Sequence, residues 1–208
     1  MLIAFEGGEG SGKGTQINLL QKSLEEKGLN VLSIIEPGGT KAGEAIREIL
    51  LNKNDLDLLG ITEAFLFSAS RAQQVRTITE PALKAGKVVL SDRSFYSTYA
   101  YQGYGRGQPM PLLKKLTEIA VGDTKPDIVF FLDLPPEIGL ERKRNQNQFN
   151  RLDAEDLDFH GRVRAGYLDL AKNDAKRWKV IDAVKSPGEI HSEILSVLEP
   201  ILFLKLTK

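Results

Sequence analysis

The clearest chemistry in this chain of 208 residues comes from a glycine-rich segment near its start, residues 7–15. Glycines let backbone N–H groups turn toward phosphate oxygens with no Cβ in the way, and the start of a helix adds partial positive charge there. A lysine supplies a full charge that can follow a phosphoryl group during its transfer. The segment matches the pattern of a nucleotide-phosphate loop, and its members are Gly7, Gly8, Glu9, Gly10, Ser11, Gly12, Lys13, Gly14 and Thr15.

One position of this loop departs from the usual pattern. Gly14 stands directly after Lys13, where a serine or threonine normally offers a hydroxyl to Mg²⁺. The ion would then be held by nucleotide oxygens, water and a more distant carboxylate. We expect Asp92 to be that carboxylate, acting through water, because it follows an apolar strand whose carboxyl end must lie beside the loop. Arg93, which comes next, offers a planar fork for phosphate.

A second pattern, at residues 52–60, would suit a GTPase. Residues 52–55 match the guanine-reading pattern Asn-Lys-x-Asp, and residues 57–60 match Asp-x-x-Gly. The two occur in reversed order, and the first lies at the end of a predicted helix rather than after a strand. This placement favours a polar helix end followed by a loop.

Short apolar runs alternate with helical patterns, and they predict the elements that position these groups. The predicted strands are residues 2–5, 31–35, 88–90, 128–132 and 179–181; helical patterns cover residues 17–24, 45–50, 62–85, 136–144 and 156–172, and a last helix opens with a capping box at residues 186–189. This alternation indicates an α/β fold, a doubly wound five-stranded parallel sheet with helices on both faces, in a single domain over residues 1–208. Polar stretches at residues 102–111 and 145–150 are predicted to be loops, the second a lid.

Composition excludes several classes of protein. Lys and Arg number 28 and so do Asp and Glu, so the net charge is zero and neither nucleic acid nor a membrane surface is an expected partner. With no cysteine and two histidines, the chain cannot build a disulfide scaffold, a Cys-ligated zinc site or an iron–sulfur cluster. No apolar run approaches the ~18 residues of a membrane span, and the start lacks the basic flank of a signal peptide. We expect a cytoplasmic protein.

Several linked motifs extend this pattern over nearly the whole chain. They are Phe5-Glu6-Gly7, Glu36-Pro37-Gly38-Gly39-Thr40, Leu66-Phe67-Ser68-Ala69-Ser70-Arg71, Asp92-Arg93, Ser97-Thr98-Tyr99-Ala100-Tyr101-Gln102-Gly103, Pro126-Asp127 and the stretch from Asp158-Phe159 to Tyr167-Leu168. The Glu-Pro-Gly-Gly-Thr and Tyr-Gln-Gly segments, in this order, are far more specific than the phosphate loop alone. Together these motifs resemble the thymidylate kinase (dTMP kinase) family of the bacterial type. Ile35 and Ser94 depart from the family pattern, as Gly14 does.

The resemblance implies a role for each candidate residue on the acceptor side. Phe67 would stack on the thymine ring, and Arg71, one helical turn later, would bind the base or the acceptor phosphate. Glu9 would meet the 3′ hydroxyl of the acceptor sugar, and Tyr101 would crowd the ribose 2′ position. The other residues that would line the nucleoside pocket are Arg93, Ser97, Thr98 and Gln102.

The resemblance also implies a basic lid at about residues 142–152, which closes over ATP and delivers a catalytic arginine. Arg142 would contact ATP, and either Arg144 or Arg151 would stabilise the charge on the transferred phosphoryl group, together with Lys13, Asp92 and Arg93. The implied reaction is transfer of the ATP γ-phosphoryl group to dTMP, with Mg²⁺, by a homodimer. The alternatives are a nucleoside monophosphate kinase for dUMP, UMP or AMP, and a nucleotide-binding module without turnover.

Overall fold

The computed structural model describes residues 1–52, 56–145 and 150–206 and contains one five-stranded parallel sheet. The strand order is β2-β3-β1-β4-β5, so β1 lies at the centre with β3 and β4 on either side. The predicted fold class is confirmed, and each strand lies where its apolar run predicts it. The bounds are β1 Leu2–Glu6, β2 Val31–Ile35, β3 Val88–Asp92, β4 Ile128–Asp133 and β5 Trp178–Asp182.

Helices cover both faces of the sheet, and three of them continue into wider π-helical turns. The α-helices are α1 Lys13–Glu26, α2 Lys41–Arg47, α3 Gly60–Gln74, α4 Glu80–Lys84, α5 Phe95–Thr98, α6 Met110–Val121, α7 Pro136–Asn145, α8 Leu157–Asn173 and α9 Pro187–Leu206. The π-helical turns are Glu48–Asn52 after α2, Val75–Thr79 between α3 and α4, and Tyr99–Gly105 after α5. The long helix predicted at residues 62–85 is therefore α3, a π-helical turn and α4 in one continuous run.

Alternate strand residues point to opposite faces, and this divides the core into two layers. Ile3 and Phe130 pack with the apolar stripes of α1 and α9, whereas Ala4 and Phe131 pack with residues of α3, α6 and α8. All four are fully or almost fully buried. Burial of one such phenylalanine stabilises the folded state by roughly 1.5–3 kcal/mol, so both layers hold the helices against the sheet.

The loop predicted at residues 102–111 is wrong for most of its length. The first part belongs to the π-helical segment Tyr99–Gly105, and α6 begins at Met110. The glycines here serve close packing: a Cβ on Gly105 would lie 2.6 Å from a ring carbon of Phe159, and one on Gly103 would lie 2.9 Å from the methyl of Met110. These two glycines therefore allow neighbouring helices to approach the segment closely.

Two sequence predictions lie partly outside the described residues. Of the four residues in the Asn-Lys-x-Asp match, the structure describes only Asn52, at the end of the π-helical turn, and not residues 53–55. Of the predicted lid, the structure describes residues 142–145, in the last turn of α7, and residues 150–152. Residues 146–149 lie outside the described parts.

Register brings the chemistry to one edge of the sheet. Phe5 of β1 lies opposite Asp92 of β3 and opposite Phe130 of β4, and all three strands run in the same direction. The segments that follow β1 and β3 therefore leave the sheet side by side. These two segments are the glycine-rich loop and the turn at Arg93.

Candidate active site

The glycine-rich loop turns sharply after β1 and opens α1. Gly10 and Gly12 adopt left-handed backbone conformations, with φ of 62° and 87°, that disfavour other residues. Gly10 also lies so close to α7 that an added Cβ would come within 2.2 Å of the carbonyl oxygen of Gly139. Gly12 is the N-cap residue of α1, so the loop amides lead into the positive end of the helix dipole.

Lys13 lies inside this loop. Its Nζ donates hydrogen bonds to the carbonyl oxygens of Gly7 and Gly8, at 3.2 and 3.0 Å, and to Ser11 Oγ at 3.2 Å. Burial, together with the nearby charge of Arg93, lowers the pKa of Lys13 to about 8. The ammonium is still mostly protonated at neutral pH, and an incoming phosphate would favour that charged form.

Glu9, Arg93 and Tyr101 form a largely buried polar triad beside the loop, in which Tyr101 is buried and the other two side chains are partly exposed. Arg93 Nη2 and the Tyr101 hydroxyl both donate to Glu9 Oε1, at 2.9 and 2.6 Å, and the guanidinium lies 5.0 Å from the centre of the Tyr101 ring. Burial alone would raise the pKa of Glu9, but Arg93 and Lys13 outweigh that effect and lower it to about 2. Glu9 is therefore ionised at neutral pH.

Arg93 occupies a strained backbone position. Its φ is 72°, and it is the one described non-glycine residue with a positive φ. Such a conformation costs of order 1–3 kcal/mol and persists only where contacts hold it. Here the Arg93 N–H donates to Phe5 O at 2.9 Å, and Nη1 donates to Gly7 O at 3.1 Å, so the residue is fixed to β1 and to the loop.

Glu6, at the end of β1, binds side chains of the segment that follows Arg93, and it was not predicted as a site residue. Its carboxylate accepts hydrogen bonds from Ser94 Oγ, Ser97 Oγ and the Tyr167 hydroxyl, at 2.7, 2.6 and 2.9 Å. Burial raises the pKa of Glu6, although these three donors oppose the shift. An acidic residue ending an otherwise apolar strand was the signal available in the sequence.

The acceptor side is built around Arg71 of α3. Its Nε donates to Glu36 Oε2 at 2.6 Å, Nη1 donates to Thr98 Oγ1 at 3.1 Å, and Nη2 donates to Ser94 O at 3.3 Å. Phe67 lies one turn earlier on the same helix, as the spacing predicts. Glu36 was quoted for its motif and not for this ion pair.

One cavity of about 420 Å³ joins the loop to the acceptor side. Most of the predicted site residues line it, which brings together groups from four separate segments of the chain. Arg71 is not among the described lining residues, but its partners Glu36 and Thr98 are. The predicted residues that line the cavity are Glu9, Gly10, Ser11, Gly12, Lys13, Gly14, Thr15, Phe67, Asp92, Arg93, Ser97, Thr98, Tyr101 and Gln102.

The predicted lid arginines lie in three different surroundings. Arg142 Nη1 donates to Gly10 O at 3.2 Å, beside the phosphate loop. Arg144 is exposed in the last turn of α7. Arg151 is bound away from the loop, because its Nη2 donates to Glu63 Oε1 at 2.7 Å and its Nε to Leu50 O at 2.9 Å. Lys143, which was not predicted as a site residue, lines the cavity.

Comparison with known proteins places the chain in a family. The family model described as thymidylate kinase matches residues 5–194. The chain belongs to the thymidylate kinase family. A thymidylate kinase from Kosmotoga olearia is 47% identical over 99% of this chain and 97% of its own length, and one from Roseiflexus castenholzii is 43% identical over 97% and 94%. The crystal structure of thymidylate kinase from Ehrlichia chaffeensis matches with a TM-score of 0.78 at 35% identity, covering 95% of this chain and 98% of that one.

Membership of the thymidylate kinase family confirms the resemblance and sets aside the GTPase interpretation of residues 52–60. Within the described residues, no helix is both long and apolar enough to cross a membrane.

Thymidylate kinases are phosphotransferases that use Mg²⁺ with ATP, and the donor set of this site fits that ion. Within residues 1–52, 56–145 and 150–206, no group of three or more His, Asp or Glu side chains could enclose a metal. Asp92 lines the cavity at the end of β3 and offers a single carboxylate. Mg²⁺ commonly binds one carboxylate together with phosphate oxygens and water, so Asp92 is the residue that would hold it.

Proposed function

We propose that this chain transfers the γ-phosphoryl group of ATP to dTMP, yielding ADP and dTDP, with the site residues described above. The observation that carries the proposal is the single cavity in which the phosphate loop, Asp92, Arg93 and the pocket around Phe67 meet. A donor and an acceptor phosphate bound there lie in one cavity, which suits direct transfer between them.

On the donor side, the loop amides and Lys13 bind the ATP phosphates, and Arg142 contacts ATP from α7. When bound, Mg²⁺ neutralises charge on the phosphate oxygens. Lys13 Nζ has three hydrogen bonds to the loop. When ATP binds, the ammonium exchanges these bonds for contacts with the phosphates while it stays within the loop. This cation therefore acts where negative charge develops in the transition state.

On the acceptor side, Phe67 stacks on the thymine ring while Ser97, Thr98 and Gln102 line the pocket. Arg93 binds the dTMP phosphate, and its attachment to β1 and Glu9 fixes the fork before the substrate arrives. Glu9 and Tyr101 lie together at the sugar. Tyr101 fills the space that a ribose 2′ hydroxyl would need, which favours deoxyribose.

The transfer needs no covalent enzyme intermediate. A phosphate oxygen of dTMP forms a bond to the γ-phosphorus while the bond from that phosphorus to the β–γ bridging oxygen breaks, and the electron pair leaves with ADP. Positioning and charge neutralisation supply the catalysis. Among the lid arginines, Arg144 is exposed in the last turn of α7, directly before the middle of the predicted lid, and this position supports it as the group that reaches the transferring phosphoryl.

An acceptor panel tests the function. With ATP and Mg²⁺, a coupled assay for ADP should give the highest kcat/KM for dTMP, below it dUMP, and little turnover of UMP or AMP. Highest activity with AMP would identify a different nucleoside monophosphate kinase. ATP binding without transfer to any monophosphate would identify a module without turnover.

We also propose a single catalytic domain that acts in the cytoplasm as a homodimer. Phe65 of α3 and Ile119 of α6 are 54% and 62% exposed, and large apolar side chains on two neighbouring helices suit pairing with a second copy. Light scattering should give the mass of a dimer, and Phe65→Glu should shift it to the mass of a monomer.

A further inference from the structure

Glu63, in the first turn of α3, is fully buried and accepts hydrogen bonds from side chains in two distant parts of the chain. Arg151 Nη2 and Arg106 Nη2 donate to its Oε1, at 2.7 and 3.0 Å. Gln102 Nε2 and Arg106 Nε donate to its Oε2, at 3.0 and 3.2 Å. Arg106 also pairs with Glu155 at 2.6 Å, so two carboxylates balance two guanidinium groups.

The contact with Gln102 has a consequence for the cavity. A carboxylate can only accept hydrogen bonds, so the Gln102 group that faces Glu63 must be its NH₂ and not its carbonyl. The planar amide is thereby fixed in one of its two orientations. Gln102 also lines the cavity, and the group it can turn toward a ligand there is the acceptor oxygen Oε1.

We propose that Glu63 is a positioning residue for base selection, because it fixes the Gln102 amide so that an acceptor, and not a donor, faces the pyrimidine. This inference rests on the proposed function. Thymine and uracil present an N3–H donor, which pairs with that oxygen. Cytosine presents an unprotonated N3 acceptor at the same place, which the oxygen repels.

The substitution Glu63→Gln tests the role, because a glutamine offers both a donor and an acceptor and so allows the Gln102 amide to take either orientation. dUMP and dCMP are the probes, since they differ only along the N3–C4 edge. Their inhibition constants against dTMP give selectivity even where turnover is slow. We expect the preference for dUMP over dCMP to fall at least about 5-fold in Glu63→Gln, with the KM for ATP unchanged.

Arg106→Gln is the matched control. It breaks the ion pair between Arg106 and Glu63, as Glu63→Gln does, but it leaves a carboxylate facing Gln102. We expect a similar loss of thermal stability and an unchanged dUMP-to-dCMP ratio. In a Gln102→Met background, Glu63→Gln should leave the ratio unchanged, because Glu63 acts through that amide. An equal fall of the ratio in Arg106→Gln, or no fall in Glu63→Gln, overturns the proposal.

A measurement on the unaltered chain covers the case in which Glu63→Gln fails to fold. The side-chain NH₂ signals of Gln102, assigned by their loss in Gln102→Met, should exchange slowly with solvent both before and after dTMP binds. Fast exchange in the free protein overturns the proposal. Wild-type turnover of dTMP separates the two questions: its absence contradicts the proposed function, and its presence with an unchanged ratio in the variant contradicts only the role of Glu63.

Discussion

Asp153 should destabilise the folded protein at neutral pH, and Asp153→Asn should reveal by how much. The residue is buried, its Oδ1 has no hydrogen-bond partner in the structure, and its Oδ2 lies 3.7 Å from the Lys143 ammonium, which only partly offsets the cost of burying the charge. Burial, with the negative charge of Glu9 beside it, raises the pKa of Asp153 from an ordinary value near 3.8 to about 6. The Asp153 proton is thus held more tightly in the folded protein than in the unfolded chain.

The sign of the effect follows from linkage. Well below pH 3.8 the carboxyl is protonated in both states, so it carries no penalty. As the pH rises from there to about 6, the unfolded chain ionises first, and the free energy of unfolding falls. A difference of about two pKa units corresponds to about 3 kcal/mol, which is the most that can be lost above pH 6. Asparagine is neutral throughout. Its carbonyl can still accept from the Asn150 N–H, as Asp153 Oδ2 does at 2.8 Å, and its NH₂ can donate to Glu9.

We therefore expect Asp153→Asn to raise the free energy of unfolding by about 1–3 kcal/mol at pH 8 and by less than about 0.5 kcal/mol at pH 4. Urea unfolding of both proteins, without nucleotide or Mg²⁺, measures the difference. His160, whose pKa burial lowers, changes charge in both proteins, so its contribution largely cancels. Equal stability at pH 8, or a loss there, would refute the electrostatic reasoning.

Three further outcomes can be measured directly. Lys13→Ala should lower kcat at least ~10²-fold, the scale for one preorganised charge, and near-normal turnover would contradict the loop assignment. Arg71→Lys should lower kcat/KM for dTMP almost as much as Arg71→Ala does, roughly 10- to 150-fold, with the KM for ATP unchanged. The reason is that one ammonium cannot replace three nitrogens bound to Glu36, Thr98 and Ser94. Intact dTMP kinetics in both variants would show that Arg71 is not part of the acceptor side. Hydrogen exchange at residues 145–150 should slow when ATP analogue and dTMP bind together, and equal exchange in the free and bound protein would count against a lid.

Local patterns were enough to predict most of the fold. Each strand is a short apolar run bounded by turns, and alternating residues such as Phe130 and Phe131 pack against helices on opposite faces. The phosphate loop carries its own signal, because glycine, lysine and helix start are adjacent in sequence. These features depend on near neighbours in the chain, so the sequence alone discloses them.

Features that depend on distant partners were missed or misinterpreted. The polar stretch at residues 102–111 predicted a loop, and only contacts with Met110 and Phe159 show that Gly103 and Gly105 allow close packing of helices. Glu63 looks like an ordinary exposed acid at a helix start, and its partners Arg106 and Arg151 lie 43 and 88 residues away. Arg151 stays a predicted lid residue, but its ion pair with Glu63 was not predicted. Long-range ion pairs leave no local periodicity, so a single sequence does not reveal them.

The contact between Gly10 and Gly139 would set the point about which α7 tilts if the proposed lid closes. A Cβ on either glycine would come within about 2.2 Å of the other segment's backbone, so the start of α7 is held directly on the phosphate loop. Arg144 lies five residues beyond that point, about 7.5 Å along the helix axis. A rotation of α7 by about 20° around this contact would move the Arg144 Cα by roughly 2.5 Å, close to the length of one hydrogen bond. Because Gly139 contacts the phosphate loop and Arg144 follows it within two helical turns, we expect a shift of the loop on binding ATP to move Arg144 directly.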